Sequence, residues 1–314
     1  MKLLRTLFAM CLICALAGGF SFSQEKSKDK NKNSPPVEVK ANVAVLDASG
    51  KLFEDVKIED LKIFEDGVEQ KLTYFAKKQP LLNLGLVFDN SGSMRKTIDV
   101  ITEMPSIFTD YLNLQDEVFV MRFVDNDKIE LNQDWTANKK DLNETIENLF
   151  VEAGQSAVLD AVYLAAEKIS EREKKDKSMR YALILISDGE ERESFYSLEK
   201  IEKLLNGSEL QIFVISFAEN APLNKKVSRF VSNILTLKTG GTTYTLPKKF
   251  TKDDIVNSVK SIIGELRSQY IIGYTSTNPN RDGLMRKLTV QVADSSKGEK
   301  RQAIIREGFV VPKK

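Results

Sequence analysis

The chain has 314 residues, with 46 Lys and Arg against 45 Asp and Glu, for a net charge of +1. A hydrophobic fraction of 42% and a charged fraction of 29% describe a folded soluble protein, and the even charge balance argues against nucleic acid or an anionic membrane surface as partner. There is no His, which excludes the commonest general base, the commonest zinc or iron ligand, and every Ser-His-Asp or Cys-His arrangement.

Residues 1–23 read as a cleavable secretory signal peptide. Lys2 and Arg5 make a positive start, Leu7 to Gly19 are apolar or small, and Ser21-Phe22-Ser23 offers a cut before Gln24. The apolar run is shorter than the ~20 residues a spanning helix needs, so a secreted or periplasmic protein is expected, with a retained anchor as the alternative. Membrane contact is expected only if this segment is not cleaved. Met10 before Cys11 and Ile13 before Cys14 disfavour lipidation, and with those Cys removed the processed chain holds no disulfide. Residues 24–36 are mostly Lys, Asp, Asn and Ser, closing on Pro35-Pro36, and are expected to form a solvated, disordered linker.

Residues 37–80 form a β-rich segment. Val37, Val39, Ala41, Val43 and Val45 alternate, as a strand with one buried side does. Val56 to Phe64 and Gln70 to Phe75 are further strands, with Glu65-Asp66-Gly67 as a tight hairpin signal between them.

Residues 81–268 change rhythm. Leu84 to Phe88, Tyr181 to Ile186 and Leu210 to Phe217 are continuous apolar runs, the pattern of strands buried on both faces. Between and after them come a strand at Val118 to Phe123 and another at Lys128 to Leu131. One amphipathic helix is expected through Ile98, Ile101, Ile107 and Leu112, and others at 141–149, 157–169, 198–205, 227–237 and 253–266. Alternating apolar strands and helices imply an α/β fold, a mostly parallel sheet with helices on both faces. Such sheets bind ligands at the carboxyl ends of their strands.

Residues 269–314 are again β-rich, with strands at Tyr270 to Tyr274, Lys287 to Val292 and Gln302 to Ile305, the first two joined by a turn at Asn278 to Gly283. A lone hairpin is marginal in water, so the N- and C-terminal flanks are expected to pair into one small β-rich module, with separate packing as the alternative.

Asp89-Asn90-Ser91-Gly92-Ser93 follows the first buried strand, and Asp188-Gly189 follows the second. Ser156, in Gly154-Gln155-Ser156, precedes a helix. Asp89, Ser91, Ser93, Ser156 and Asp188 can therefore converge at one sheet edge. Every donor is an oxygen, which suits a hard cation, Mg2+ with Mn2+ or Ca2+ possible, and not zinc or copper. Five ligands leave a six-coordinate ion one open position, which can accept an Asp or Glu carboxylate from a protein partner. The bland alternative is that Asp and Ser at a strand end form only a turn or helix cap.

Phe88-Asp89-Asn90-Ser91-Gly92-Ser93-Met94 resembles the opening of a von Willebrand factor type A domain. Gly154-Gln155-Ser156 resembles that family's Gly-x-Thr element, and Ile186-Ser187-Asp188-Gly189 its later Asp-Gly element. The resemblance implies a doubly wound sheet and a metal-ion-dependent adhesion site. There the hydroxyls bind the metal directly and the Asp residues often act through water. Ser156 departs from the usual Thr; it retains the hydroxyl but lacks the methyl that stiffens the rotamer, so binding is expected to survive, though weaker. Ile58 to Gly67, Tyr270 to Tyr274 and Arg281-Asp282-Gly283 resemble the flanks of bacterial secreted proteins related to this family.

The expected function is a divalent-cation-dependent, adhesion-type protein-binding module outside the cytoplasm, and not an enzyme. A metal-dependent hydrolase with Asp89 as nucleophile or base is one alternative. A structural scaffold with a vestigial metal site is the other. Glu190, Glu191 and Glu193 read as a solvated acidic loop, Glu171 to Lys177 as solvated surface, Arg281-Asp282-Gly283 as a hairpin turn, and Trp135 as packing.

Overall fold

The computed structural model describes residues 35–77, 80–176, 178–217, 225–311 and 313, with only the backbone of 225–230. The expected signal peptide and nearly all of the expected linker lie outside the described residues.

Strands β1 (Glu38–Asp47), β2 (Leu61–Glu65), β3 (Val68–Gln70) and β4 (Leu72–Lys77) come first. The α/β part follows as β5 (Leu82–Asp89), α1 (Arg95–Thr102), β6 (Glu117–Phe123), β7 (Ile129–Thr136), α2 (Lys139–Glu147) and α3 (Val158–Glu173). It continues through β8 (Arg180–Ser187), α4 (Leu198–Leu205), β9 (Gln211–Ser216), α5 (Lys225–Thr239), β10 (Thr243–Thr245) and α6 (Lys252–Ser268). The tail is β11 (Tyr270–Thr275), β12 (Met285–Val292), β13 (Arg301–Ile304) and β14 (Gly308–Val310).

The central sheet has the order β10-β9-β8-β5-β6-β7, parallel except for the edge strand β7. Strands β5 and β8 are buried along their whole length, as their unbroken apolar runs require. One face, with Leu84, Leu86, Phe88 and Ile184, packs on α1, α2 and α6; the other, with Val87, Leu183 and Leu185, packs on α3 and α4. Gly85 leaves room on the second face for Phe119, whose ring would lie 2.4 Å from a Cβ at that position. The doubly wound α/β reading therefore holds. From β5 the chain winds outward to β6 and β7, then returns to the other side of β5 as β8. The switch point, where such sheets bind ligands, lies between the carboxyl ends of β5 and β8.

The flanks pair with each other, in two sheets of four strands ordered β13-β1-β11-β4 and β14-β12-β2-β3, each mixing N- and C-terminal strands. One core joins them, including Val39, Val43, Ile63, Ile272 and Leu288. The Asp66-Gly67 hairpin is a two-residue loop with both φ values positive (49° and 82°), the geometry that matches strand twist.

Several expectations need correction, among them the strand expected from Val56, which begins only at Leu61 after a 3-10 turn at Ile58–Asp60. The helix expected through Leu112 ends at Thr102, because Pro105 has no amide to donate; a short 3-10 turn, Pro105–Phe108, keeps Ile107 and Phe108 buried. Residues 278–283 do not close a hairpin, since β11 and β12 lie in different sheets and the segment crosses between them. Strand β1 is not one-sided throughout: Ala44 and Leu46 are buried as well, where β13 pairs with that end. The charge run at the end of α3 is not all solvated, since Glu173 is buried and accepts from the Ser208 hydroxyl (2.5 Å) and the Glu209 amide (2.7 Å).

Glu265 on α6 is buried against β10, where it accepts from the Thr242 hydroxyl (3.0 Å) and the Tyr244 hydroxyl (3.3 Å). Burial pushes its carboxyl up from 4.5 to about 7, and these hydroxyls with Gln269 only partly offset it. Between those pH values the folded chain holds a proton that the unfolded chain has lost, so stability falls as pH rises through this window and levels above it. Urea unfolding of wild type and Glu265→Gln is expected to show that the wild-type disadvantage grows from pH 4.5 to 7. Parallel curves would exclude a buried, titrating Glu265.

Candidate metal centre

Asp89 is the last residue of β5 and Asp188 the first after β8, so adjacent parallel strands deliver two carboxylates to the switch point. Ser91 and Ser93 lie on the turn that opens into α1, and Ser156 sits two residues before α3. Asp89, Ser91, Ser156 and Asp188 are buried, while Ser93 is exposed and marks the open side of the cluster.

The five side chains converge. The Ser91 and Ser93 hydroxyls are 3.2 Å apart, and the Ser156 hydroxyl donates to that of Ser91 at 2.9 Å. Ser156 also lies 3.5 Å from each Asp89 carboxylate oxygen. The Ser91 amide donates to Asp89 Oδ1 (3.1 Å), which folds the turn back over the carboxylate. Asp188 Oδ1 accepts the Glu190 amide (3.0 Å), whereas Asp188 Oδ2 is buried with no hydrogen-bond partner.

Burial first, then the nearby Asp188 charge, push the Asp89 carboxyl up to about 7. Burial likewise raises Asp188, against the Glu190 amide and the Ser93 hydroxyl, which favour its ionised form. Two buried carboxylates, one with an orphaned oxygen, carry a desolvation cost that a positive ion would relieve. Among the described residues no group of three or more His, Cys, Asp or Glu could hold a metal ion, at this cluster or away from it. A donor set here is thus two carboxylates completed by hydroxyls, all hard oxygens, and these residues fit a Mg2+-type ion.

Residues that sequence patterns did not single out hold the cluster. The Ser187 hydroxyl donates to Asp89 Oδ2 (2.7 Å) and accepts the Gly189 amide (2.8 Å), tying the end of β5 to the turn after β8. Its one signal was its place as the first polar residue after an apolar strand. Asn90 donates from Nδ2 to the Phe150 carbonyl (2.7 Å), and its carbonyl accepts the Glu152 amide (3.0 Å), drawing the loop before Ser156 against the first turn.

The acidic loop after Asp188 is not simply solvated. Glu190 is buried and paired with Arg192 at 2.6 Å. Glu191 accepts the Leu159 amide (2.9 Å) at the start of α3, one of the donors a helix leaves unsatisfied. Only Glu193 of the three is exposed. Trp135 packs edge-on against Phe119, with centroids 4.8 Å apart.

Residues 84–191, which span β5 through the turn after β8, match the sequence model of the von Willebrand factor type A domain. The chain contains a von Willebrand factor type A domain. Domains of this family serve as protein-interaction modules. Among solved structures, the chain is similar to an aerotolerance-related membrane protein from Bacteroides fragilis carrying multiple mutations to serine. That match has a TM-score of 0.44 and 14% identity, covering 59% of this chain and 98% of the other. It is also similar to the conserved hypothetical protein BatB from Bacteroides thetaiotaomicron, with a TM-score of 0.43 and 14% identity, covering 58% and 99%. No curated protein matches the sequence. All five cluster residues belong to the type A domain or its immediate turns, and the flanking β sandwich contributes none of them.

Proposed function

We propose that the protein is a divalent-cation-dependent protein-binding module of the adhesion type, exported from the cytoplasm. The observation that carries this reading is the cluster of Asp89, Ser91, Ser93, Ser156 and Asp188, all but Ser93 buried, in which Asp188 Oδ2 has no partner. Ser91, Ser93 and Ser156 would offer hydroxyl oxygens, and Asp89 and Asp188 would balance charge directly or through water. Bound there, Mg2+ or a similar ion would supply an open coordination position for a carboxylate of a partner protein.

The chain's own residues prepare the cluster. Ser187 fixes Asp89, Asn90 holds the Ser156 loop close, and exposed Ser93 leaves the pocket open on the solvent side. This preorganisation lets a partner bind without first ordering the loops. Export rests on the N-terminal sequence, with its positive start and short apolar run; no helix among the described residues is long and apolar enough to cross a membrane.

Calorimetric titration of the metal-free protein with Mg2+, Mn2+ and Ca2+ tests the reading. Saturable binding of at least one of them at millimolar concentration or below is expected. Its absence for all of them would leave a protein-binding scaffold with a vestigial site.

A further inference from the structure

We propose that the rim of this centre selects a partner whose carboxylate sits beside a bulky apolar side chain, with Phe195 as the principal contact and Phe150 as the second. The inference rests on the metal-dependent reading above and adds the chemistry of the partner.

Phe195 is 84% exposed and Phe150 is 53% exposed; among the described residues they are the exposed aromatic side chains. Both belong to loops of the cluster. The Phe150 carbonyl accepts from Asn90, the neighbour of Asp89, and its ring lies over the Arg122 guanidinium at 4.1 Å. Phe195 is carried by the segment that follows Asp188.

A single exposed hydrophobic residue is ordinary and needs no partner. Phe195 differs in how firmly its backbone is held. Asp160, in the first turn of α3, accepts the Phe195 amide (2.9 Å) and the Tyr196 amide (2.6 Å). The Tyr196 ring stacks on Tyr163 at 3.8 Å. The Arg192 amide donates to the Ser156 carbonyl (3.0 Å), and Asn126 Nδ2 donates to the Glu193 carbonyl (3.1 Å). The loop is therefore docked to the segment that carries Ser156, and the ring at its tip faces water. An aromatic ring on an already ordered backbone gives contact area at little entropic cost, the property of interface hot spots.

The charge on the rim narrows the partner further. The Asp125, Asp127 and Glu193 carboxyls crowd together with Lys128 as a single cation beside Asp125, and Asp125 also lies against Gly154, where a Cβ would come within 2.8 Å of its Oδ2. Additional acids on the partner would be repelled. The fitting motif is one Asp or Glu, an adjacent aromatic or large aliphatic residue, and no further negative charge.

The test uses disulfide-cyclised peptides displayed on phage, randomised around a fixed Glu, captured on the purified protein in millimolar Mg2+ and eluted with EDTA. Enrichment of Phe, Trp, Leu or Ile next to the Glu and depletion of further acids are expected. The enriched peptides, made synthetically, should bind Phe195→Ser at least roughly tenfold more weakly, while Mg2+ binding by calorimetry stays as in wild type. Peptides without apolar enrichment, equal binding to Phe195→Ser, or no EDTA-eluted peptide would overturn the inference. If the wild type itself gives no heat with Mg2+, Mn2+ or Ca2+, the metal reading fails. Mg2+ heat without Phe195-dependent peptides refutes only the partner assignment.

Discussion

Asp89→Asn is expected to remove Mg2+ binding while leaving the metal-free chain at least as stable as wild type. Loss of an outer-shell partner alone typically costs ~10–100-fold in metal affinity, and loss of a carboxylate ligand should exceed that. The stability half follows from burial. Asp89 is wholly buried, and its carboxyl is raised by that burial and by Asp188. Asn keeps the shape and an oxygen for the Ser91 amide, and the Ser187 hydroxyl can turn to accept from the new amide. The substitution removes a buried charge of like sign to its neighbour, and an unrelieved buried charge costs several kcal/mol.

Thermal unfolding with and without Mg2+ checks both halves. Wild type should gain stability with metal, by about 2.7 kcal/mol at 100 times the dissociation constant. The variant should gain none and should melt no lower than wild type in EDTA. Retained Mg2+ affinity would place the ion elsewhere, and a collapse of the metal-free variant would make Asp89 a structural residue.

The second large effect lies in the β sandwich. Glu65 ends β2 and is 3% exposed; Arg286 on β12 is 2% exposed, and the two pair at 2.9 Å. Glu65 also accepts from the Tyr274 and Ser276 hydroxyls, each at 2.8 Å. Arg286 in turn donates to the Asn278 carbonyl (2.9 Å) and the Asn280 carbonyl, which secures the crossing between the two sheets. Glu65→Ala leaves the buried guanidinium without its counter-charge and the Tyr274 hydroxyl without its acceptor, while the Ser276 hydroxyl keeps the Asn278 carbonyl (3.2 Å). A loss of about 3–5 kcal/mol is expected, the range for breaking one side of a buried ion pair. Urea unfolding measures it. The double variant Glu65→Leu/Arg286→Met should recover most of the loss, because it removes both charges. A single variant within 1 kcal/mol of wild type, on the scale of an exposed ion pair, would show that this network contributes little.

Much of the fold was legible in the sequence because its signals are local. Unbroken apolar runs at Leu84–Phe88 and Tyr181–Ile186 announce strands buried on both faces, and the polar residues after them announce a sheet edge that carries chemistry. Asp66-Gly67 announces its turn because only a few residue types tolerate its backbone. The break at Pro105 was equally local and was obscured by the regular spacing of Ile98, Ile101 and Ile107, which stays apolar across it.

Other features depend on contacts that no local pattern encodes. The β-rich flanks announce strands, but which of two sheets each joins depends on register between residues more than 200 positions apart. Glu190, Glu191 and Glu173 read as surface charge because acidic residues usually are; their placement is set by Arg192, by the start of α3 and by Ser208. Ser187 and Asp160 act on groups that meet them only after folding.

The sequence by itself thus determined the α/β class, the two strand ends that carry Asp89 and Asp188, and an oxygen-only donor set in a chain without His. Periodicity, turn chemistry and composition are properties of neighbouring residues, so they survive in one dimension. Only the tertiary structure decided that Asp89, Ser91, Ser93, Ser156 and Asp188 form one cluster with Asp188 Oδ2 unpartnered, that Ser187 ties its two sides together, and that Phe195 stands on a loop bound to the first turn of α3. Those are matters of burial and distance between segments, which arise when β8 returns to lie beside β5.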